Sequence, residues 1–269
     1  MAIGLIIIGD EILSGKRLDK HFSRSVELLS LHGMQLGWAE YLGDDPARIT
    51  ATLKRTMATD DIVFCFGGIG ATPDDHTRQC AAAAIGVPLA LHPQARALIE
   101  ERITEMALAA GKPAALDAPD NLHRLKMGEF PVGAGIIPNP YNKIPGFSID
   151  HAHGAGAHYF VPGFPVMAAP MVEWVLETIY PHLFHSIAWQ EKSVYVFEAM
   201  ESTLTPLMEA IEAQFAPIKV FSLPSVGDAV TRRHIELGVK GEPSLVEKAF
   251  VALTDGIERL GAEYKATTA

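Results

Sequence analysis

Asp61-Ile62-Val63-Phe64-Cys65-Phe66, followed without a break by Gly67-Gly68-Ile69-Gly70-Ala71-Thr72-Pro73-Asp74-Asp75-His76-Thr77, is the stretch from which the fold is read. Six residues that end in a run of five apolar ones, without polar alternation, predict a strand buried on both faces, the habit of a parallel sheet. The glycines that follow end it, and the alanine-rich segment through Ile85 predicts a helix capped by Gly86. A loop between strand and helix lies at the carboxyl edge of a parallel sheet, where open α/β folds take their ligands. Three glycines let backbone approach a ligand closely, and the helix start adds free N–H groups and partial positive charge suited to phosphate. No lysine follows the glycines, so the loop is neither a Walker loop nor GxGxxG.

Working outward, Ile3 to Ile8 repeats the buried-strand pattern, Asp19 to His32 carries apolar residues at helical spacing, and Met34 to Leu42 reads as a second strand. Asp45-Pro46 opens a helix with Ile49, Leu53 and Met57 on one stripe. This alternation of strand and helix predicts a three-layer α/β domain around a parallel sheet. Pro93 to Ala110 reads as a helix and Lys112 to Leu125 as a loop. Short strands follow at 134–137, 144–149 and 158–161, then a helix over 166–183. After about Ser186 a compact β-α-β-β-α pattern restarts. The predicted domains are therefore 1–185, the α/β domain, and 186–269, a small α+β module.

The chain has 22 Lys and Arg against 32 Asp and Glu, a formal net charge of −10. Such a chain is a poor partner for nucleic acid or anionic membrane. Its two cysteines, Cys65 and Cys80, form no framework and both read as core residues, which fits a reducing cytoplasm. The apolar start lacks a basic n-region and ends at Gly9-Asp10-Glu11, so it is not read as a signal peptide. Tyr159 to Tyr180 is broken by Pro162-Gly163, Pro165 and Pro170, and reads as strand, turn and helix rather than a membrane span.

Acids gather after each of the first three strands: Asp10 and Glu11, then Asp44 and Asp45, then Asp74 and Asp75. Asp74, Asp75 or Thr77 can cap the following helix. Because one cap needs one residue, the remaining carboxylates beside a phosphate loop point to a Mg²⁺-type oxygen site. Asn139-Pro140, Pro145-Gly146-Phe147 and Pro162-Gly163-Phe164-Pro165 read on their own as turns. His151, His153 and His158 surround Gly154-Ala155-Gly156 and read as an exposed hairpin tip, not a zinc site.

Gly9-Asp10-Glu11-Ile12-Leu13-Ser14-Gly15 with Asp19, Gly43-Asp44-Asp45, and Gly67 through Thr77 together resemble the molybdopterin-binding (MoaB/MogA-like) domain family. The resemblance is closest to the version in the N-terminal part of the competence/damage-inducible protein CinA. It extends through the three Pro/Gly loops, and through Glu201-Ser202 and Leu223-Pro224-Ser225, which resemble the KH-like module that follows in that family. The departures are Phe66, Ala71, His21, Asn142, and Val166-Met167 in place of a segment with Glu after Pro165. All of them touch the expected cleft.

The resemblance implies a ligand with a nucleotide or pterin head and phosphates at Gly67, Gly68, Gly70 and Thr72. Ser14, Asn139, Pro145, Gly146, Pro162 and Gly163 join as ligand-binding residues. CinA-type first domains are associated with metal-dependent hydrolysis of ADP-ribose-like dinucleotides. On that reading Asp10, Asp44 and Asp75, with Asp74 as substitute, place Mg²⁺, Mn²⁺ or Co²⁺, and Asp44 or Asp75 takes the proton. The related cofactor-assembly proteins bind molybdopterin instead, and a binding module without catalysis is the third reading. A cytoplasmic homo-oligomer is expected from the resemblance. The deamidase domain of long CinA proteins finds no room in 269 residues and is not expected. Ser225-Val226-Gly227-Asp228 is not the basic GxxG loop that RNA binding by a KH fold requires.

Overall fold

A computed structural model describes residues 1–152, 154–185, 190–227 and 231–267. His153 and Asp228 fall outside them. The chain divides into two compact units, Met1–Phe184 and His185–Ala269.

The first unit runs β1 (Ile3–Ile8), α1 (Asp10–Leu13), α2 (His21–Leu31), β2 (Trp38–Leu42), α3 (Pro46–Thr56), β3 (Ile62–Phe66), α4 (Thr77–Ile85), β4 (Leu89–Leu91), α5 (Pro93–Ala109), α6 (Pro119–Leu125), β5 (Glu129–Pro131), β6 (Gly135–Ile137), β7 (Gly146–Asp150), β8 (Ala157–Val161) and α7 (Pro165–Ile179). Six strands form one sheet in the order β2-β1-β3-β8-β7-β6. β1 pairs in parallel with β2 and β3, and β3 with β8, while β7 runs antiparallel to both its neighbours. The chain leaves β1 for one side and returns on the other as β3, which makes a topological switch point between them.

The strands are buried on both faces because helices cover both. Leu5 and Ile7 pack with Leu28 and Leu29 of α2 and Val172 and Val175 of α7. Ile6 and Ile8 pack oppositely with Ile49 and Leu53 of α3 and Cys80 and Ala81 of α4. This is the expected three-layer α/β architecture. Asp45 caps α3, its Oδ1 accepting the N–H groups of Ala47 at 2.8 Å and Arg48 at 3.2 Å.

Two readings need correction, and one pair of strands was not foreseen. The segment over 112–125 is not all loop, since α6 forms behind Pro119 with Leu125 buried against α5. β4 and β5 form a small antiparallel sheet too short to leave a sequence period. His151 and His158 are buried, not an exposed tip. The His151 Nδ1 lies 2.6 Å from the Thr59 carbonyl, its Nε2 lies 2.6 Å from His158 Nδ1, and His158 Nε2 lies 2.8 Å from Thr56 Oγ1. A carbonyl only accepts, so His151 donates from Nδ1 to Thr59, and a neutral His151 ring accepts at Nε2 from His158 Nδ1. The pair ties the β7–β8 hairpin to the end of α3.

The second unit runs β9 (Gln190–Phe197), α8 (Glu201–Gln214), β10 (Lys219–Ser225), β11 (His234–Gly241), α9 (Pro243–Arg259) and β12 (Tyr264–Ala266). Its antiparallel sheet has the order β10-β11-β9-β12. Val194, Val196, Leu237 and Val239 meet Leu204 and Ile211 of α8 and Val246, Leu253 and Ile257 of α9 in a core of its own. The closing strand β12 is the element that the sequence reading lacks.

Candidate active site

The switch point opens into a cleft of about 580 Å³, a size usual for small-molecule sites. Residues that follow four strands line it: Gly9 and Glu11 after β1, Asp44 after β2, Gly67 through Thr72 with Asp74 and Asp75 after β3, and Pro162, Gly163 and Phe164 after β8. The strand-end loops therefore meet around one space, as the parallel order of β2, β1, β3 and β8 demands.

The glycine loop is held from behind. Gly67 and Gly68 have φ of +97° and +67°, a region glycine alone adopts readily. A Cβ on Gly67 would collide with the Ile8 carbonyl, and one on Gly68 with the Thr77 hydroxyl. Buried Thr77 donates from Oγ1 to Gly67 O at 3.0 Å and from N to Gly68 O at 2.9 Å. Arg78, 4% exposed, donates to Gly70 O at 2.6 Å and to Lys126 O. His123 on α6 reaches Ala71 O at 2.8 Å. None of the expected caps acts on α4, which starts behind His76 with no side-chain cap. Asp75 closes the loop instead, its Oδ2 accepting Thr72 N at 2.8 Å and Thr72 Oγ1 at 2.5 Å.

The acids divide by environment. Asp10 and Asp44 cross-link their loops: Asp10 N donates to Asp44 Oδ2 at 2.9 Å, and Asp44 N donates to Asp10 Oδ1 at 3.3 Å. Gly43 leaves the space that Asp10 Oδ1 occupies. Burial pushes the Asp44 carboxyl up, against the Asp10 N–H, and the charges of Asp10, Glu11 and Asp74 push it further. Asp74 is exposed and its carboxyl is held low by hydrogen bonding within the loop.

Several expected ligand residues lie elsewhere. Ser14 is exposed at the end of α1 and does not line the cleft. Asn139 is buried in its own turn, its Nδ2 donating to Asn142 Oδ1 and Ile144 O, and it faces a separate cavity. Pro145 and Gly146 are buried, and a Cβ on Gly146 would strike Phe160 O. Asp19 accepts from His21 N, Phe22 N and Tyr41 Oη, so it serves α2 and β2. Among the described residues no three of His, Cys, Asp and Glu stand close enough to hold an ion by themselves. Asp10 does not line the cleft and Asp75 is engaged by Thr72. Asp44 and Asp74 remain, which fits a Mg²⁺-type ion that shares one or two carboxylates with phosphate oxygens and water.

The sequence reading missed Arg17, Phe164, Arg78 and His123. Arg17 lines the cleft with its guanidinium 5.9 Å above the Phe164 ring. It also placed no role on His21, whose buried ring lies 4.5 Å from that of Phe66 and 3.2 Å, through Nε2, from Gly163 O. The Phe66 and His21 departures thus pack together under the cleft wall.

A family model described as "Probable molybdopterin binding domain" matches residues 4–185, the span that builds this cleft. The chain belongs to that molybdopterin-binding domain family. Its relatives include CinA-like proteins: one from Anaeromyxobacter sp. (strain Fw109-5) is 32% identical over 66% of this chain and 40% of its own length. Another, from Gloeobacter violaceus, is 29% identical over 96% of this chain and 59% of its own length. The chain therefore spans about half the length of the curated relatives it matches. Among solved structures, the protein CinA with unknown function from Thermoplasma acidophilum aligns with a TM-score of 0.54 and 26% identity, over 65% of this chain and 95% of that one. Among the described residues no helix is long and apolar enough to cross a membrane.

Proposed function

We propose that the cleft binds a phosphorylated small molecule of nucleotide or pterin type and hydrolyses the diphosphate of an ADP-ribose-like dinucleotide with a divalent cation. The observation that carries this reading is the meeting of a glycine loop with Asp44 and Asp74 in one cleft of ligand size. The loop holds one phosphate by close backbone approach. Asp44 and Asp74 would hold Mg²⁺, Mn²⁺ or Co²⁺, which supplies charge neutralisation and acidifies an attacking water. Asp44, its carboxyl pushed up by burial and by the neighbouring acids, is the better proton acceptor of the two. Asp74, held low, stays ionised and would hold the cation, whose charge compensates that of the diphosphate. Phe164 offers an exposed ring on which a planar head group can lie.

The test is incubation of the pure chain with ADP-ribose and Mn²⁺, with AMP as the measured product. Release of AMP that EDTA abolishes is expected, and its absence with each of the three metals would overturn hydrolysis. A second reading, binding of a molybdopterin-type ligand without turnover, is favoured by the engagement of Asp75 and Asp10 in protein hydrogen bonds. Calorimetric binding without AMP release would establish it. Homo-oligomeric assembly in the cytoplasm belongs to the same proposal, with sedimentation equilibrium as the check on subunit number.

A further inference from the structure

We infer that Arg78 and His123 are positioning residues that turn the glycine loop into an anion-binding nest, so that the cleft recognises phosphate before any cation arrives. This rests on the reading of the loop as a phosphate site and says how that site is made. In a trans peptide the carbonyl and the following N–H point in opposite directions. The carbonyls of Gly67 and Gly68 are drawn back by Thr77, that of Gly70 by Arg78, and that of Ala71 by His123. The N–H groups of Gly68, Ile69 and Ala71 are thereby turned to the other side of the loop; the N–H after the Ala71 carbonyl, that of Thr72, is held by Asp75, so His123 fixes the end of the nest rather than adding a free N–H to it. Arg78 is buried behind the loop and does not line the cleft, whereas Gly67 through Thr72 do, so that other side is the cleft. Successive N–H groups directed into one concavity form the arrangement that binds anions.

Arg78 adds a second element. Its guanidinium is buried, makes no ion pair among the described residues, and donates to two backbone carbonyls, while its Nε has no partner. A buried cation left so incompletely paired is costly. Its nearest opposite charges are Asp75, at the edge of the cleft, and Glu129. A phosphate seated on the loop supplies the missing negative charge across a single peptide layer. The anchors also differ in origin: Arg78 comes from α4 and His123 from α6, so the loop is shaped only when both helices pack against it.

The full chain, in EDTA, is titrated by calorimetry with ADP-ribose and with adenosine, which keeps the head group and lacks phosphate. Arg78→Met should retain its thermal transition and lose between about 10- and 100-fold in ADP-ribose affinity, the worth of a charge-assisted contact, with adenosine binding unchanged. Arg78→Lys should recover part of the loss. His123→Ala removes an exposed side chain and should weaken ADP-ribose by about three- to tenfold. A folded Arg78→Met that binds ADP-ribose as the parent does, or loses both ligands equally, overturns the inference and leaves the proposed function standing. If Arg78→Met does not fold, unchanged ADP-ribose affinity in His123→Ala overturns it. A parent chain that binds ADP-ribose only when Mn²⁺ replaces EDTA overturns this inference and leaves the proposed function standing, and one that binds it under neither condition overturns both.

Discussion

Asp44 shows how one side chain takes its character from its neighbours. It is partly buried, accepts one N–H from Asp10, and faces the charges of Asp10, Glu11 and Asp74. Asp44→Asn keeps an acceptor for that N–H and removes a repelled charge. The variant should melt within about 0.5 kcal/mol of the parent and lose at least about 100-fold in cation-dependent AMP release. Retained turnover in this variant would remove Asp44 from the mechanism. Gly67 lies at the opposite extreme, where the backbone itself is the functional group. Its positive φ and its contact with the Ile8 carbonyl leave no room for a methyl group. Gly67→Ala should destabilise the first unit by about 2 kcal/mol or more, measured by denaturant unfolding. These two roles differ in legibility. A glycine after a buried strand announces a tight loop by its type, but the rise in the Asp44 pKa depends on burial first, and then on Asp10 and Glu11 from one loop and Asp74 from another.

At the scale of elements, α3 begins as its sequence says it should. Asp45 caps it, Pro46 occupies the first turn, and Lys54 and Arg55 close it. Asp45→Ala should cost about 1 kcal/mol, read as a lower thermal midpoint. The other end of α3 is tied to the β7–β8 hairpin by the His151–His158 pair, and there the element depends on pH. Burial, aided by His151, depresses the His158 imidazole from its ordinary 6.5 to about 3. Between those values the unfolded chain binds the proton and the folded chain does not. Stability therefore falls as pH drops through that window, by at most about 1.4 kcal/mol per pH unit from this group. The first unit's melting midpoint should fall from pH 7 to pH 4.5, and His158→Gln, less stable at the start, should show a shallower fall. Parallel slopes would show that other groups carry the acid sensitivity. The helix α6 is the element that periodicity could not supply: seven residues with one buried side chain leave too short a pattern to read.

At the scale of the whole molecule, each of the two units closes its own hydrophobic packing with its own helices, the first on both faces of its sheet. Scanning calorimetry of the full chain should resolve two transitions. ADP-ribose with Mn²⁺ should raise the one belonging to residues 1–184, because the cleft lies wholly within that unit. A single transition that shifts as a whole would show the units to be energetically coupled.

The sequence by itself determined the alternation of buried strands and amphipathic helices, the glycine loop, and the family. Each of these is written in residue type and local spacing, and local spacing is what a backbone period and a tight turn respond to. Tertiary structure alone decided which residues share the cleft. Ser14, Asn139, Pro145 and Gly146 have the composition of ligand loops, yet Ser14 and Asn139 lie in turns, Pro145 is buried and Gly146 opens β7, because the same residue types suit both uses. Arg17 and His123 stand outside every motif in the sequence, and Phe164 and Arg78, inside or beside one, carry no local sign of their role. Their roles come from strand order and helix packing, which bring positions as much as 147 residues apart, such as Arg17 and Phe164, to one wall. Local chemistry chose the parts of this protein, and the long-range closure of its core chose which of them meet.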